Sequence, residues 1–301
     1  MEGILNIYKE KGFTSHDVVA IVRGTLQTKK VGHTGTLDPD AEGVLPICVG
    51  KATKLADLIM DGRKSYRAVL RLGMTTTTED ASGEVLETKA VDFDEDKIRT
   101  AIGAFVGEIH QIPPMYSAIK INGKKLYELA REGKEIERKS RQVTIYAIHI
   151  RQFLPPDCVE FDVDCSKGTY IRTLCADIGA KLGCGGHMQS LLRTATGAFH
   201  LADAIKLGEL KNCVAEGKLE DVMLSMEKAL AEDYPIVQVS QRAERLLYNG
   251  GRIQSRFWEK AAPEIQEGMV VQVLDSKGKL VGLYTIQKEE NLTIKPFKML
   301  I

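Results

Sequence analysis

The stretch Gly32-His33-Thr34-Gly35-Thr36-Leu37-Asp38-Pro39-Asp40-Ala41-Glu42-Gly43 concentrates groups able to do chemistry: carboxylates at 38, 40 and 42, an imidazole at 33, and glycines at 32, 35 and 43. Glycine lets backbone approach a ligand closely and permits positive φ. Pro39 biases Asp38 away from helical geometry, so its carboxylate is expected on a rigid, extended piece of chain. A carboxylate held in this way can attack carbon or remove a proton, and both roles need it ionised and fixed. On spacing alone, a surface Asp-Pro turn describes the same residues. Asp38, Asp40, Glu42 and Gly43 also imitate the start of a calcium loop, but Val49 stands where that loop needs a bidentate Glu. No Gly-Lys-Ser/Thr follows, which excludes a phosphate-cradling loop of that type. Cys184 and His187 have no second ligand pair, so no metal is expected.

Arg172 is the second candidate. Ile171, Leu174, Cys175, Ile178 and Leu182 recur with helical spacing, and Gly183 ends the pattern. With Thr169 as the N-cap, Arg172 falls in the first helical turn, where the helix dipole disfavours a cation. An anionic partner is therefore expected.

The elements that must position these groups mix helix and strand. Thr14-Ser15-His16-Asp17 reads as a capping box before Val18, Val19, Val22 and Leu26, an amphipathic helix. Tyr66, Ala68, Leu70 and Leu72 share one strand face, as do Val159, Phe161, Val163 and Cys165, and Val143 to Ile150 is rich in strand formers. No regular strand-helix-strand rhythm appears, so an α+β fold on a largely antiparallel sheet is expected. A break follows near Asp233-Tyr234-Pro235. Beyond it, turn signals at Asn249-Gly250-Gly251, Glu267-Gly268 and Ser276-Lys277-Gly278 predict a small β-rich domain.

Composition narrows the function classes. With 301 residues, 44% of them hydrophobic, the chain can bury two cores. No stretch approaches the roughly 20 apolar residues of a membrane span, and Met1 to Tyr8 is no signal peptide. The six scattered cysteines read as reduced thiols of a cytoplasmic protein. Net charge is zero but unevenly spread: Lys120 to Arg141 holds eight bases and four acids, Asp203 to Asp233 eight acids and four bases. The basic stretch is either a phosphate-contacting element or a solvated helix face laced with Glu–Lys pairs.

Several blocks, in order and in register, carry a family resemblance. They are Lys11-Gly12-Phe13-Thr14-Ser15; Gly32 to Pro39; Lys64-Ser65-Tyr66 with Arg71-Leu72-Gly73; Thr78-Glu79-Asp80-Ala81-Ser82-Gly83; Gln111 to Lys120; Cys165 to Leu174; and Leu191-Leu192-Arg193-Thr194. From residue 11 to about 200 the chain resembles the TruB family of bacterial tRNA pseudouridine-55 synthases. It departs from the pattern at Leu192, where Arg is frequent, and by one residue missing before Gly12. The resemblance implies a pseudouridine-synthase core over residues 1–233, with a thumb segment at about 111–141, and a PUA-like RNA-binding domain over 234–301. It makes Asp38 the catalytic carboxylate and Arg172 its partner. Tyr66 would pack against a flipped base, His33 would fill space near it, and Asp80, Tyr170 and Leu191 would line the pocket. The reaction is redox-neutral and implies no cofactor. The implied partner is the T stem-loop of tRNA, bound by a monomer without a guide RNA. The rival readings are a non-catalytic RNA-binding or chaperone protein, a guide-dependent synthase and a metal hydrolase.

Overall fold

Alternation builds the centre of the molecule. We number the elements used below in chain order: β1 (Gly3–Lys9), α1 (Ser15–Thr25), β2 (Val31–His33), β3 (Glu42–Val49), β4 (Lys64–Leu72), β5 (Gly107–Gln111), β6 (Arg141–Leu154), β7 (Cys158–Cys165), α2 (Ile171–Lys181), β8 (Gly186–Thr196) and β9 (Met223–Leu224). In β4 the buried positions are Lys64, Tyr66, Ala68, Leu70 and Leu72; in β7 they are Val159, Phe161, Val163 and Cys165. Both inward sets match the alternation of the sequence. Large apolar side chains buried this fully contribute at most roughly 1.5–3 kcal/mol each. A one-residue slip would turn every one of them outward, which fixes the register. The structure is a computed structural model and describes residues 1–301 except Ala118, Asn122, Glu135, Glu289 and Glu290, and except the side chains of Lys120, Ile121 and Lys125. Ala118 and the Lys120 side chain belong to the expected thumb block and lie outside the described residues.

The strands form a ten-stranded sheet in the order β9-β1-β3-β8-β4-β7-β6-β5, with β2 pairing β3 and Phe199–His200 pairing β8. Every pairing is antiparallel except that of β8 with β3, where Leu192 lies beside Glu42 and Arg193 beside Gly43. This parallel contact sets β8 against the start of β3, directly after the loop that carries Asp38. Gly43 has φ +103°, and a Cβ there would sit 2.2 Å from the Arg193 carbonyl oxygen, so only glycine lets the two strands approach this closely.

Helix α1 starts as its residues dictate. Thr14 is the N-cap, its hydroxyl accepts from Asp17 N–H at 3.1 Å, and Asp17 accepts from Thr14 N–H at 2.8 Å. Its buried face carries Val18, Val19 and Val22. Helix α2 begins one residue later than the sequence rule places it. Its N-cap is Tyr170, because the Thr169 hydroxyl turns back to donate to Ser166 O at 2.9 Å. Arg172 remains in the first turn.

Residues 236–299 supply a second, six-stranded sheet, the β-rich C-terminal part. It does not stand apart. Leu280, Leu283 and Leu300 share a buried cluster with Ile4, Val44, Cys48, Leu55, Ile59, Phe199 and Leu230 of the first part. The Gln272 amide donates to Glu227 O at 3.3 Å and Tyr234 O at 3.0 Å across the break. In the thumb region, Lys124 and Lys134 both pair with Glu132, at 3.2 and 2.7 Å, so part of this basic stretch is the ion-paired surface that its composition allowed. No helix among the described residues is long and apolar enough to cross a membrane.

Candidate active site

The loop between β2 and β3 is fastened on both sides of Asp38. Before it, Leu37 N–H donates to the Ser15 hydroxyl at 2.9 Å, and that hydroxyl donates to Leu37 O at 3.2 Å. After it, Pro39 O accepts from Gly12 N–H at 2.9 Å and from the Lys9 ammonium at 3.0 Å. Lys9 is wholly buried and also donates to Phe13 O at 2.6 Å. Desolvation brings its ammonium down to about 8, against the pull of Glu42, Asp38 and Asp40. Two pinned neighbours thus hold the carboxylate's backbone, which is more restraint than an Asp-Pro turn needs.

Arg172 meets Asp38 from the first turn of α2. Its Nη2 lies 2.9 Å from Asp38 Oδ2, and its Nη1 lies 3.6 Å from Asp80 Oδ2. The anionic partner expected from the sequence is therefore a pair of carboxylates, with the guanidinium forked between them. Asp80 can spare Oδ2 because Oδ1 is already satisfied. That oxygen accepts from the Thr78 hydroxyl at 2.7 Å, Ser82 N–H at 2.9 Å and the Ser82 hydroxyl at 2.6 Å. The pair is asymmetric in exposure: Arg172's side chain is 7% accessible and that of Asp38 40%. A cation at this depth is held by its partners, while the carboxylate keeps a face open to an incoming ligand. Burial against the surrounding protein nevertheless raises the Asp38 carboxyl above the ordinary carboxylate range. Asp80 and Asp40 add to the rise; Arg172 and Lys9 oppose it. Arg172 thus limits the rise without reversing it.

The other predicted positions lie on β2, on β4, on β8 and at the N-cap of α2. Tyr66 is buried on β4 opposite Arg193 of β8, and the charges of Arg193 and Asp38 both bear on its phenol. Desolvation pushes its phenol up to about 12, so the hydroxyl is protonated at neutral pH. His33 accepts from Gly35 N–H through Nδ1 at 3.3 Å and meets the His16 ring edge to face at 5.3 Å. Burial first, then His16 and Arg193, lower its pKa, which favours the neutral ring. Tyr170 caps α2 beside Arg172. The Gln111 side chain clasps its backbone, accepting from Tyr170 N–H at 3.0 Å and donating to Tyr170 O at 3.2 Å. Leu191 lies on β8 opposite Ala68 of β4, two positions along from the Arg193–Tyr66 pair.

Comparison with known proteins shows the family of this chain. Residues 23–171 match the TruB family pseudouridylate synthase N-terminal domain, and residues 172–231 match the tRNA pseudouridylate synthase B C-terminal domain. The chain is 55% identical to tRNA pseudouridine synthase B of Alkaliphilus oremlandii over 85% of its own length and 84% of the relative's. It is 50% identical to that of Lachnoclostridium phytofermentans over the full length of both. The chain belongs to the TruB family of pseudouridine synthases. Among solved structures, the chain resembles one of a Cbf5-Nop10-Gar1 complex, with TM-score 0.78 and 30% identity over 99% of this chain and 85% of that one. A structure of an H/ACA RNP bound to a substrate RNA containing 2′-deoxyuridine gives TM-score 0.77 at 28% identity.

As a TruB-family synthase the protein is an isomerase, and its site holds residues that sequence reasoning passed over. Lys9, Ser15 and Gln111 each secure backbone next to a predicted site residue. Glu79 accepts from the Thr173 hydroxyl at 2.6 Å, behind Arg172, and has φ +64°, a costly conformation for a side chain with a Cβ. Only Lys9 left a signal: it occupies the inward position two after Ile7 on a strand whose other inward residues are apolar. Among the described residues, no group of three or more His, Cys, Asp or Glu side chains is arranged to hold a metal ion.

Proposed function

We propose that the chain converts uridine 55 in the T arm of tRNA to pseudouridine, with Asp38 as the carboxylate that attacks C1′ or removes a sugar proton. The observation that carries the reading is Asp38 itself, pinned through both chain neighbours, ion-paired to a buried arginine and still open on one face. The reaction breaks the N1–C1′ bond, turns the uracil and joins C5 to C1′. N1 gains a proton, the hydrogen on C5 leaves to water, and no electrons enter or leave. The target base must first leave its stack. Tyr66 would pack against it, His33 would occupy space near it, and Tyr170, Leu191 and Asp80 would line its pocket. We place the catalytic domain at residues 1–233, with the thumb at about 111–141, and a PUA-like RNA-binding domain at 234–301. The relatives, matched over 85% and 100% of this chain, carry names of enzymes acting on tRNA, which supports a tRNA substrate. We expect it to be read directly, without a guide RNA. We expect a cytoplasmic monomer that needs no cofactor.

The test is a tRNA transcript tritiated at uracil C5. Incubation with the protein alone should release about one uridine's share of tritium per tRNA. Replacing the T-arm target uridine by cytidine should abolish release, and so should Asp38→Asn, while phosphate-mediated binding persists in both. Release that survives Asp38→Asn to within tenfold removes Asp38 from the chemistry. Release from many uridines would keep the reaction and discard the T-arm substrate.

A further inference from the structure

The loop that delivers Tyr170 and Arg172 is bonded at both ends to the two strands that frame the thumb. β5 enters that segment and β6 leaves it, and Gln111 of β5 lies opposite Arg141 of β6 at the last rung between them. At the near end of the loop, Thr144 N–H of β6 donates to the Ser166 hydroxyl at 2.9 Å, and Ser166 N–H donates back to Thr144 O at 2.8 Å. At the far end stands Gln111. Its Oε1 accepts from Tyr170 N–H at 3.0 Å and its Nε2 donates to Tyr170 O at 3.2 Å. The two feet of the thumb are also tied to each other, since Arg138 Nη1 donates to Pro113 O at 3.0 Å.

Gln111 is 2% exposed, and burying an amide is unfavourable unless its polar atoms are hydrogen-bonded. Here both ends are satisfied by one residue, and that residue is the N-cap of α2. Tyr170 makes no side-chain cap bond of its own. Its carbonyl also starts the helix, accepting from Leu174 N–H at 3.0 Å. The Gln111 amide therefore fixes the peptide planes on both sides of the Tyr170 Cα, and with them the direction in which α2 sets out. Arg172 follows two residues on and must meet Asp38 at 2.9 Å and Asp80 at 3.6 Å. On the other side of Gln111, Ile112 leads into Pro113 and Pro114, whose fixed φ angles stiffen the path into the thumb.

We propose that Gln111 is a positioning residue that locks the thumb to the start of α2, so that RNA held by the thumb meets Arg172 and Asp38 in register. It acts through the Tyr170 backbone and touches no reacting atom. A misplacement of about 1 Å at the reacting groups is enough to slow a reaction about 100-fold. The inference rests on the reading of residues 111–141 as an RNA-contacting thumb and of Asp38 as the reacting carboxylate.

The test compares Gln111→Met and Gln111→Glu with wild type in the full chain. Single-turnover tritium release from the tRNA transcript is read at saturating protein across the pH range, with tRNA Kd and urea melts measured separately. Gln111→Met keeps the length and loses both bonds. It should slow release by about 10- to 100-fold while Kd changes by less than about threefold. Its rate relative to wild type should be no better at acid pH, because a displaced Arg172 supports the ionised Asp38 less. Gln111→Glu keeps the acceptor for Tyr170 N–H. Ionised, it has no hydrogen for Tyr170 O; protonated, it has one. Burial favours the protonated form, so its rate relative to wild type should rise about tenfold or more from the alkaline to the acid end. Arg138→Met, which unties the feet, should slow release no further when added to Gln111→Met, because thumb and α2 are then already uncoupled. A normal rate in Gln111→Met, a loss that only tracks the unfolded fraction, or a Gln111→Glu ratio that does not rise towards acid pH overturns the proposal. Multiplicative losses with Arg138→Met overturn the link to the thumb. No release from wild type would instead remove the synthase reading itself.

Discussion

Replacing Arg172 by Met removes a charge of similar length from between two carboxylates, and its effect can be worked from the geometry. The Nη2–Oδ2 distance to Asp38 is 2.9 Å. With charge centres about 4 Å apart and an effective dielectric near 20, the attraction is about 4 kcal/mol. Asp38's side chain is 40% accessible, so water screens a large part of this. A remainder of about 1.5–3 kcal/mol corresponds to about one or two pH units. The sign follows from the burial of Asp38, which already raises its carboxyl above the ordinary range. If the ionised form is the active one, activity is present above that pKa and falls as pH drops through it. Removing the cation moves this acid limb up by about one or two units. Single-turnover tritium release from pH 5 to 9 measures it. The variant should lose most at the acid end of this range and recover partly towards the alkaline end. Stability runs the other way. The folded variant binds a proton more tightly than the unfolded chain, so its deficit against wild type should be larger at pH 8 than at pH 5 in urea melts. A loss of rate by one constant factor at every pH would refute the reasoning, because Arg172 would then not act on the ionisation of Asp38.

Gly43→Ala would press a Cβ to 2.2 Å from the Arg193 carbonyl oxygen at a backbone φ of +103°, so thermal melts should show a loss of about 3 kcal/mol or more; a loss below about 1 kcal/mol would mean that β3 and β8 separate freely. Deleting residues 121–139 should weaken tRNA binding and lower the slope of log Kd against log salt. The reduction should be smaller than a count of bases implies, since Lys124 and Lys134 are spent on Glu132, and an unchanged slope would leave the segment an ordinary ion-paired surface. Ending the chain at Asp233 strips Leu280, Leu283 and Leu300 from a shared buried cluster, at about 1.5–3 kcal/mol for each leucine. The shortened protein should melt well below the full chain, and an unchanged melting temperature would show that the first part needs no cover.

What the sequence could and could not reveal follows from the range of each interaction. Alternation along β4 and β7 is local, so the inward faces of Tyr66–Leu72 and Val159–Cys165 were legible. That β8 would lie against both β4 and β3, in opposite senses, was not, because no local pattern reports which distant strand is a neighbour. Asp80 serves two partners at once: one oxygen accepts from Ser82 N–H in the turn, and the other faces Arg172, which lies 92 residues on and has no local signature. The start of α2 was misplaced by one residue because a hydroxyl-bearing Thr169 looks like a better cap than Tyr170, and nothing nearby says that this hydroxyl bonds backward to Ser166. Ser15 was absorbed into the capping box of α1, yet its hydroxyl also holds Leu37, 22 residues on. The resemblance pointed to groups expected to meet the substrate, whereas the groups that hold those in place belong to other segments. Lys9, Ser15, Gln111 and Arg193 each act on backbone or a side chain far along the chain, and their partners exist only once the sheet has formed. A substitution at one of them would leave every reacting group present and alter only where it sits. Such changes should therefore appear in the rate of the chemical step more than in tRNA affinity.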